Sequence, residues 1–265
     1  MTTFDSDGFV FPHDGLTTGE CARYLAAFDQ YDREASERGG LRAAFRHFPK
    51  IHLLAPWADE LIRHPAVLSA VSRLLGPDLL VWSTNVFVRE PGSTSGMAWH
   101  QDALHYSLKG FHTGAVRVWL ALTPADLRNG AMRFSRGSHR AGIVGHRTGA
   151  DRAAIRSVGL EIDVEIDEDT VVPAILGQGQ FSMHHMAVAH CSGGNATTAD
   201  RVGFAIDYLR PDVAPVGGPD GAMLVNGTDT HGNFELESPV TTSGLAVEEQ
   251  FRRSVLLRMQ RLGLA

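Results

Sequence analysis

From residue 78 onward the chain is a series of short β-branched and aromatic runs, each closed by a turn signal. DLLVWSTNVFVREPG (78–92) stops at Pro91-Gly92, and AVRVWLALTPA (115–125) repeats its texture. AMRFSRGSHR (131–140) reads as a short strand followed by a turn, and TVVPAIL (170–176), QFSMHHMAVAHC (180–191) and RVGFAIDYLRP (201–211) continue the series. Short strands separated by turns specify an antiparallel sandwich or barrel. The first third is different. TTGECARYLAAFDQYDREASERGG (17–40) opens on threonines with an early Glu20 and closes on Gly39-Gly40, the marks of a capped helix. WADELIRHPAVLSAVSRLLG (57–76) is a second helical stretch, interrupted near Pro65, and EEQFRRSVLLRMQRLG (248–263) is an amphipathic helix at the end. The expected fold is mainly β with flanking helices. It forms a single domain over 1–265: a helical part over about 1–77, a β core over about 78–211 packed as two sheets, and a closing loop and helix over about 212–265.

Bulk properties exclude several function classes. The 265 residues carry a formal net charge of −6, which argues against a nucleic-acid or anionic-membrane partner. The chain is 43% hydrophobic, enough for a sizeable core. Two cysteines, Cys21 and Cys191, with no CxxC pair, predict neither a disulfide framework nor a cysteine metal knuckle, and a reducing cytoplasmic setting is expected. The N-terminal MTTFDSDGFVF has no basic stretch followed by an apolar one, and no run of eighteen apolar residues follows anywhere, so neither a signal peptide nor a membrane span is expected. A small-molecule substrate is the remaining partner, and oligomeric state is left open.

The chemistry concentrates in three stretches. MAWHQDALHY (97–106) places His100 and Asp102 two apart, on one face if the stretch is a strand. An imidazole and a carboxylate side by side are two-thirds of a facial iron triad. HHMAVAHCSGGN (184–195) offers three histidines. On a strand His184 and His190 share a face and His185 takes the other, so alternation alone does not name the third ligand. A closed zinc site would want four ligands, usually with cysteine, which Cys191 alone does not supply. In RVGFAIDYLRP, Arg201, Gly203, Ala205 and Asp207 line one face. A buried arginine between small residues calls for an anion, and guanidinium holds a carboxylate by two parallel hydrogen bonds.

These segments, in order, resemble the phytanoyl-CoA dioxygenase-like branch of the Fe(II)/2-oxoglutarate oxygenases, from about residue 5 to the C-terminus. WHQD (99–102) is similar to the family's HxD signature, and VRVWLALTPADLRNGAMRFSRGSHR (116–140) to its following strands. HCSGGNATTADR (190–201) reproduces a His, a Ser two later and an Arg eleven later, and AMLVNGTDTHGNFELESP (222–239) resembles a C-terminal stretch of bacterial members. The resemblance implies a double-stranded β-helix, a jelly-roll barrel. It implies Fe(II), 2-oxoglutarate and O2 as cofactors, with His100, Asp102 and His190 as metal ligands. It assigns Arg201 and Ser192 to the far carboxylate of 2-oxoglutarate, and His185 to a pocket position beside the ligands. Related halogenases carry a small residue in place of the carboxylate. Asp102 is present here, so oxidation of a C–H bond, with succinate and carbon dioxide as co-products, is the implied reaction. Hydroxylation of a small polar metabolite or natural-product intermediate is expected rather than of a fatty acyl-CoA.

Further residues are candidates with a plainer explanation beside each. Asn85 would be placed to donate to the cosubstrate, and an interstrand hydrogen bond explains it equally. His105 and Tyr106 would reach substrate or pack their loop. Arg117 and Arg133 lie on expected strands and would face the pocket or solvent, Asp229 and His231 sit in a loop that would close over the site, and His184 reads as a structural histidine. Two rivals remain at this level: a cupin-like metalloenzyme that needs no 2-oxoglutarate, and a non-catalytic metal-binding barrel.

Overall fold

The computed structural model describes residues 3–39, 47, 49–105, 107–148, 160–240 and 245–261. The main helices are α1 (Thr3–Asp7), α2 (Thr18–Arg38), α3 (Pro56–Leu61), α4 (Pro65–Leu75) and α5 (Leu245–Arg261). The main strands are β1 (Phe9–Asp14), β2 (Leu79–Arg89), β3 (Met97–His100), β4 (Ala115–Ala121), β5 (Met132–Ser135), β6 (Val171–Pro173), β7 (Gln180–His184), β8 (His190–Ser192), β9 (Arg201–Leu209), β10 (Gly221–Asn226) and β11 (Glu235–Leu236). A seven-stranded sheet has the order β1-β7-β4-β9-β2-β10-β11, and a four-stranded sheet the order β3-β8-β5-β6. The mainly β fold with flanking helices therefore forms, and among the described residues its main strands lie in these two open sheets, beside two two-stranded ribbons, rather than in one closed ring. No described helix is long and apolar enough to cross a membrane.

Contacts divide the chain into two compact units, 1–14 with 87–106 and 118–203, and 15–86 with 107–117 and 204–265. In the first unit, β1 pairs antiparallel with β7, setting Phe9 opposite His184 and His13 opposite Phe181. Strand β8 lies between β3 and β5, with His190 opposite both His100 and Phe134. The layer between the sheets is aromatic. Phe9 stacks on Phe134 with ring centroids 4.9 Å apart, and Phe134 lies 5.0 Å from the His184 ring. Burying each such phenylalanine is worth about 1.5–3 kcal/mol.

The second unit holds the helical layer. Thr17 and Glu20 form the expected capping box: the Thr17 hydroxyl accepts from the Glu20 amide at 3.2 Å, and the Glu20 carboxylate accepts from the Thr17 amide at 2.8 Å. Cys21, Tyr24, Phe28, Tyr31 and Ala35 make the buried stripe of α2. Pro65 does interrupt the second helical stretch, because its ring starts α4 rather than continuing α3. The even-numbered face of β9 meets these helices: Trp57 packs edge-on against Phe204 at 5.5 Å, and the Tyr208 hydroxyl donates to the Ile62 carbonyl at 2.7 Å. By strand alternation the odd-numbered residues of β9 take the opposite face.

Candidate metal centre

The first two ligand candidates are not on one strand. His100 ends β3, and Asp102 begins a 3₁₀ turn over Asp102–His105, so period-two alternation does not relate them. The buried side chain of Gln101 forces this change of direction. Its amide donates to the carbonyls of Ala187 at 2.6 Å and Gly142 at 2.8 Å, and its oxygen accepts from the Val144 amide at 2.9 Å. The Ala103 amide donates to the Met186 carbonyl at 2.9 Å, which fixes the turn that carries Asp102.

His190 comes from β8 and faces His100 across the ladder, with ring centroids 4.1 Å apart. His100, Asp102 and His190 are all buried, and each offers one ligand atom within 4.8 Å of the others. The Nε2 atoms of His100 and His190 lie 3.8 Å from the two different oxygens of Asp102. Both rings turn Nδ1 to the carbonyl two residues earlier, Ala98 at 2.8 Å and Val188 at 3.1 Å. A carbonyl only accepts, so Nδ1 carries the proton and Nε2 presents its lone pair toward the shared space. Two neutral imidazole nitrogens and one carboxylate oxygen suit Fe(II) with positions left open. Cys191 alternates away, toward the Arg133 guanidinium that lies over Trp99, and takes no part.

His184, read from the sequence as structural, stands at this centre. It is fully buried on β7, and its Nε2 lies 3.3 Å from Asp102 Oδ2. His185 faces the N-terminal segment instead. Its amide donates to the Gly8 carbonyl, its Nδ1 accepts from the Ala187 amide, and its ring lies 5.0 Å from His139 and 6.4 Å from Phe4.

Arg201 opens β9 and is 2% exposed. Its guanidinium sits over the Trp119 ring at 5.2 Å, and its Nε and Nη1 have no hydrogen-bond partner among the described residues. Burial, then the neighbouring charge of Arg89, pushes its pKa down to about 9. Arg89, at the end of β2, is the residue that sequence reading missed. It is buried, and its Nη2 donates to Ser192 Oγ at 3.1 Å. Its sequence signal is a lone cation at the close of an apolar strand, just before Glu90-Pro91-Gly92. Two buried guanidinium groups within electrostatic reach of each other, with a serine hydroxyl between the motifs, suit a carboxylate; leaving a buried cation unpaired costs several kcal/mol. Gly203 makes room for this arrangement, since a Cβ there would run into the Trp119 indole at Cζ2. Gly203→Ala is therefore expected to displace the indole and cost about 1–3 kcal/mol, read as a lower urea midpoint; an unchanged midpoint would show that Trp119 has room to move.

The remaining candidates divide. In the second unit, Asn85 lies half-buried on β2. Arg117 is held there by Asp207 through two bonds of 2.7 and 3.0 Å, so its charge is already matched. Asp229 Oδ1 accepts from the amides of His231 and Gly232 in an exposed turn. The side chain of His105, and all of Tyr106, lie outside the described residues.

Comparisons with known proteins bear on the family and the fold. The family model described as phytanoyl-CoA dioxygenase matches residues 4–203. A probable alpha-ketoglutarate-dependent hypophosphite dioxygenase of Stutzerimonas stutzeri is 25% identical over 222 residues, covering 80% of this chain and 74% of that protein. The solved structure of the apo non-heme monooxygenase ThoJ is similar with a TM-score of 0.91 and 46% identity, covering 98% of this chain and 96% of that one. The structure of CytC3 with Fe(II) and alpha-ketoglutarate, 22% identical with a TM-score of 0.66, covers 89% of this chain and 90% of its own and shares the fold. With a family match over most of its length and a buried His-Asp-His centre, the chain belongs to the phytanoyl-CoA dioxygenase family, as an oxygenase that depends on Fe(II), 2-oxoglutarate and O2.

Proposed function

We propose that this protein hydroxylates a small polar metabolite or natural-product intermediate, with His100, Asp102 and His190 as the iron ligands and Arg201 and Ser192 as the clamp on the far carboxylate of 2-oxoglutarate. The observation that carries the reading is Arg201: a buried guanidinium with two nitrogens that have no partner among the described residues, in the same unit as the three ligand candidates. The whole chain is read as one catalytic domain serving that site.

Each residue has a definite task. The two imidazoles and Asp102 would hold iron by three atoms on one side and leave the rest of its coordination to cosubstrate and oxygen. Bound there, iron couples decarboxylation of 2-oxoglutarate to oxidation of a substrate C–H bond. Arg201 supplies two parallel N–H donors to a carboxylate, and the Ser192 hydroxyl, oriented by Arg89, adds a third contact. Gln101 holds Asp102 in its turn, so the ligand arrives already oriented. Retention of the Asp102 carboxylate, where halogenases have a small residue, favours hydroxylation. The substrate class follows the names of relatives directed at small polar compounds, hypophosphite above and ectoine in a dioxygenase of Streptomyces avermitilis at 24% identity over 151 residues.

The test is anaerobic. Fe(II) is added to the apoprotein, 2-oxoglutarate is titrated in, and the visible charge-transfer band of the chelate is followed; oxygen is then admitted and succinate assayed. A saturable band followed by succinate is the expected result. Tightly bound iron with no band would overturn the Arg201 assignment and leave the cupin-like alternative.

A further inference from the structure

Three histidines surround Asp102, and their hydrogen bonds divide them into two kinds. In His100 and His190, Nδ1 faces a backbone carbonyl, so Nε2 holds the lone pair that a metal needs. In His184 the relation is reversed. Its Nε2 lies 3.3 Å from Asp102 Oδ2, and an ionised carboxylate only accepts, so this nitrogen must carry the proton. His184 is thus close enough to be mistaken for a ligand, but its nearest nitrogen is a donor.

We infer that His184 is a positioning residue: it donates to Asp102 Oδ2 and keeps that carboxylate from binding iron through both oxygens. The inference rests on the reading of His100, Asp102 and His190 as the iron ligands. A carboxylate can occupy one coordination position or two. With two imidazoles and one carboxylate oxygen, a six-coordinate ion retains three positions, enough for a bidentate keto acid and oxygen. A second bond from Asp102 would remove one of them. The N–H of His184 engages Oδ2 and leaves Oδ1 the better donor to the metal, as outer partners of metal ligands commonly do.

The packing holds His184 in this role. It comes from β7, in the larger sheet, whereas His100 and His190 come from β3 and β8 in the smaller one. Its backbone pairs with Phe9 of β1, and its ring is fully buried, 5.0 Å from Phe134 and 5.1 Å from His190. A ring so enclosed has little freedom to leave the carboxylate. The arrangement also lets one sheet supply the imidazole ligands while the other supplies the group that orients Asp102.

The experiment compares His184→Leu, which cannot donate, with His184→Gln, whose amide can. Co(II) is titrated into each apoprotein and followed by its visible absorption, and 2-oxoglutarate is then titrated anaerobically into the Fe(II) forms. In His184→Leu the second oxygen of Asp102 is free to join the metal, so the variant is expected to keep Co(II) but to need about 10–100-fold more 2-oxoglutarate for the charge-transfer band, with His184→Gln recovering most of the difference. A filler of space would not be rescued by the amide. A wild-type 2-oxoglutarate requirement in His184→Leu would overturn the inference. A separate measurement needs no variant: nitrogen-15 histidine correlation spectra of the Zn(II)-loaded wild type should show Nε2–H at His184 and metal-shifted Nε2 at His100 and His190. A metal-shifted Nε2 at His184 would make it a ligand and end the proposal, and this spectrum decides alone if His184→Leu does not fold. His100→Ala and His190→Ala separate the two levels. If they bind Co(II) like the wild type, the ligand reading fails; if they lose it while His184→Leu keeps the wild-type 2-oxoglutarate requirement, only the positioning role fails.

Discussion

Asp102→Ala is expected to abolish succinate formation and to weaken metal binding by more than about 100-fold, beyond the range of losses that follow from removing a ligand's outer partner. Asp102 is the anionic member of the buried centre, and the Nε2 atoms of His100, His190 and His184 all lie within 3.8 Å of its oxygens. Taking it away leaves iron with two neutral donors in a buried space, where a cation without a countercharge is costly. The turn that carries Asp102 is held by backbone and Gln101 bonds that do not involve its carboxylate, so the variant should fold. Metal content by mass analysis and succinate release under oxygen are the readouts. Full turnover with one iron bound per chain would sink the assignment.

The second large effect belongs to Arg201. In Arg201→Gln the concentration of 2-oxoglutarate needed for half-saturation is expected to rise by about 30-fold or more, the equivalent of about 2 kcal/mol or more for truncating one partner of a buried charged pair. Half-saturation by substrate should move far less, and equal changes in both would contradict the clamp. The same substitution should raise the stability of the ligand-free protein. Arg201 is buried beside the charge of Arg89, and its stacking on Trp119, worth about 0.5–2 kcal/mol, recovers only part of the desolvation. The folded-state pKa of about 9 lies well below the ordinary guanidinium range, so the unfolded chain binds this proton more tightly. The cost is fully present below about pH 9 and falls as pH rises above it. The melting temperature of Arg201→Gln should therefore exceed that of the wild type at neutral pH, and the gap should close above pH 9. A variant that melts lower at neutral pH would show that Arg201 is a structural cation with a partner.

Much of the centre was legible from residue type and spacing. His100, Asp102 and His190 meet as the resemblance implied, and Arg201 is buried as its small neighbours Gly203 and Ala205 suggested. The capped helix of 18–38 was equally legible, because Thr17 and Glu20 are local partners. Strand alternation was the weaker guide. It placed His100 and Asp102 on one face for a reason that does not apply, since a 3₁₀ turn lies between them, and it grouped His184 with His190 although they sit on different strands of different sheets. Arg89 carried no signal strong enough to separate it from a strand-end surface cation.

What the sequence determined by itself was therefore the chemistry available: two imidazoles, a carboxylate and a guanidinium in family order, and a chain patterned for short strands. Those properties are local, set by residue type and by the period of a single strand or helix. The tertiary structure decided which histidines meet Asp102 and through which nitrogen, and which arginine stands beside Ser192. Both choices depend on strands distant in sequence: β7 brings His184 to Asp102, 82 residues away, and the end of β2 brings Arg89 to Ser192, 103 residues away. The physical reason is that hydrogen-bond direction and the cost of buried charge are settled only when such groups share one interior, and no local period encodes that meeting.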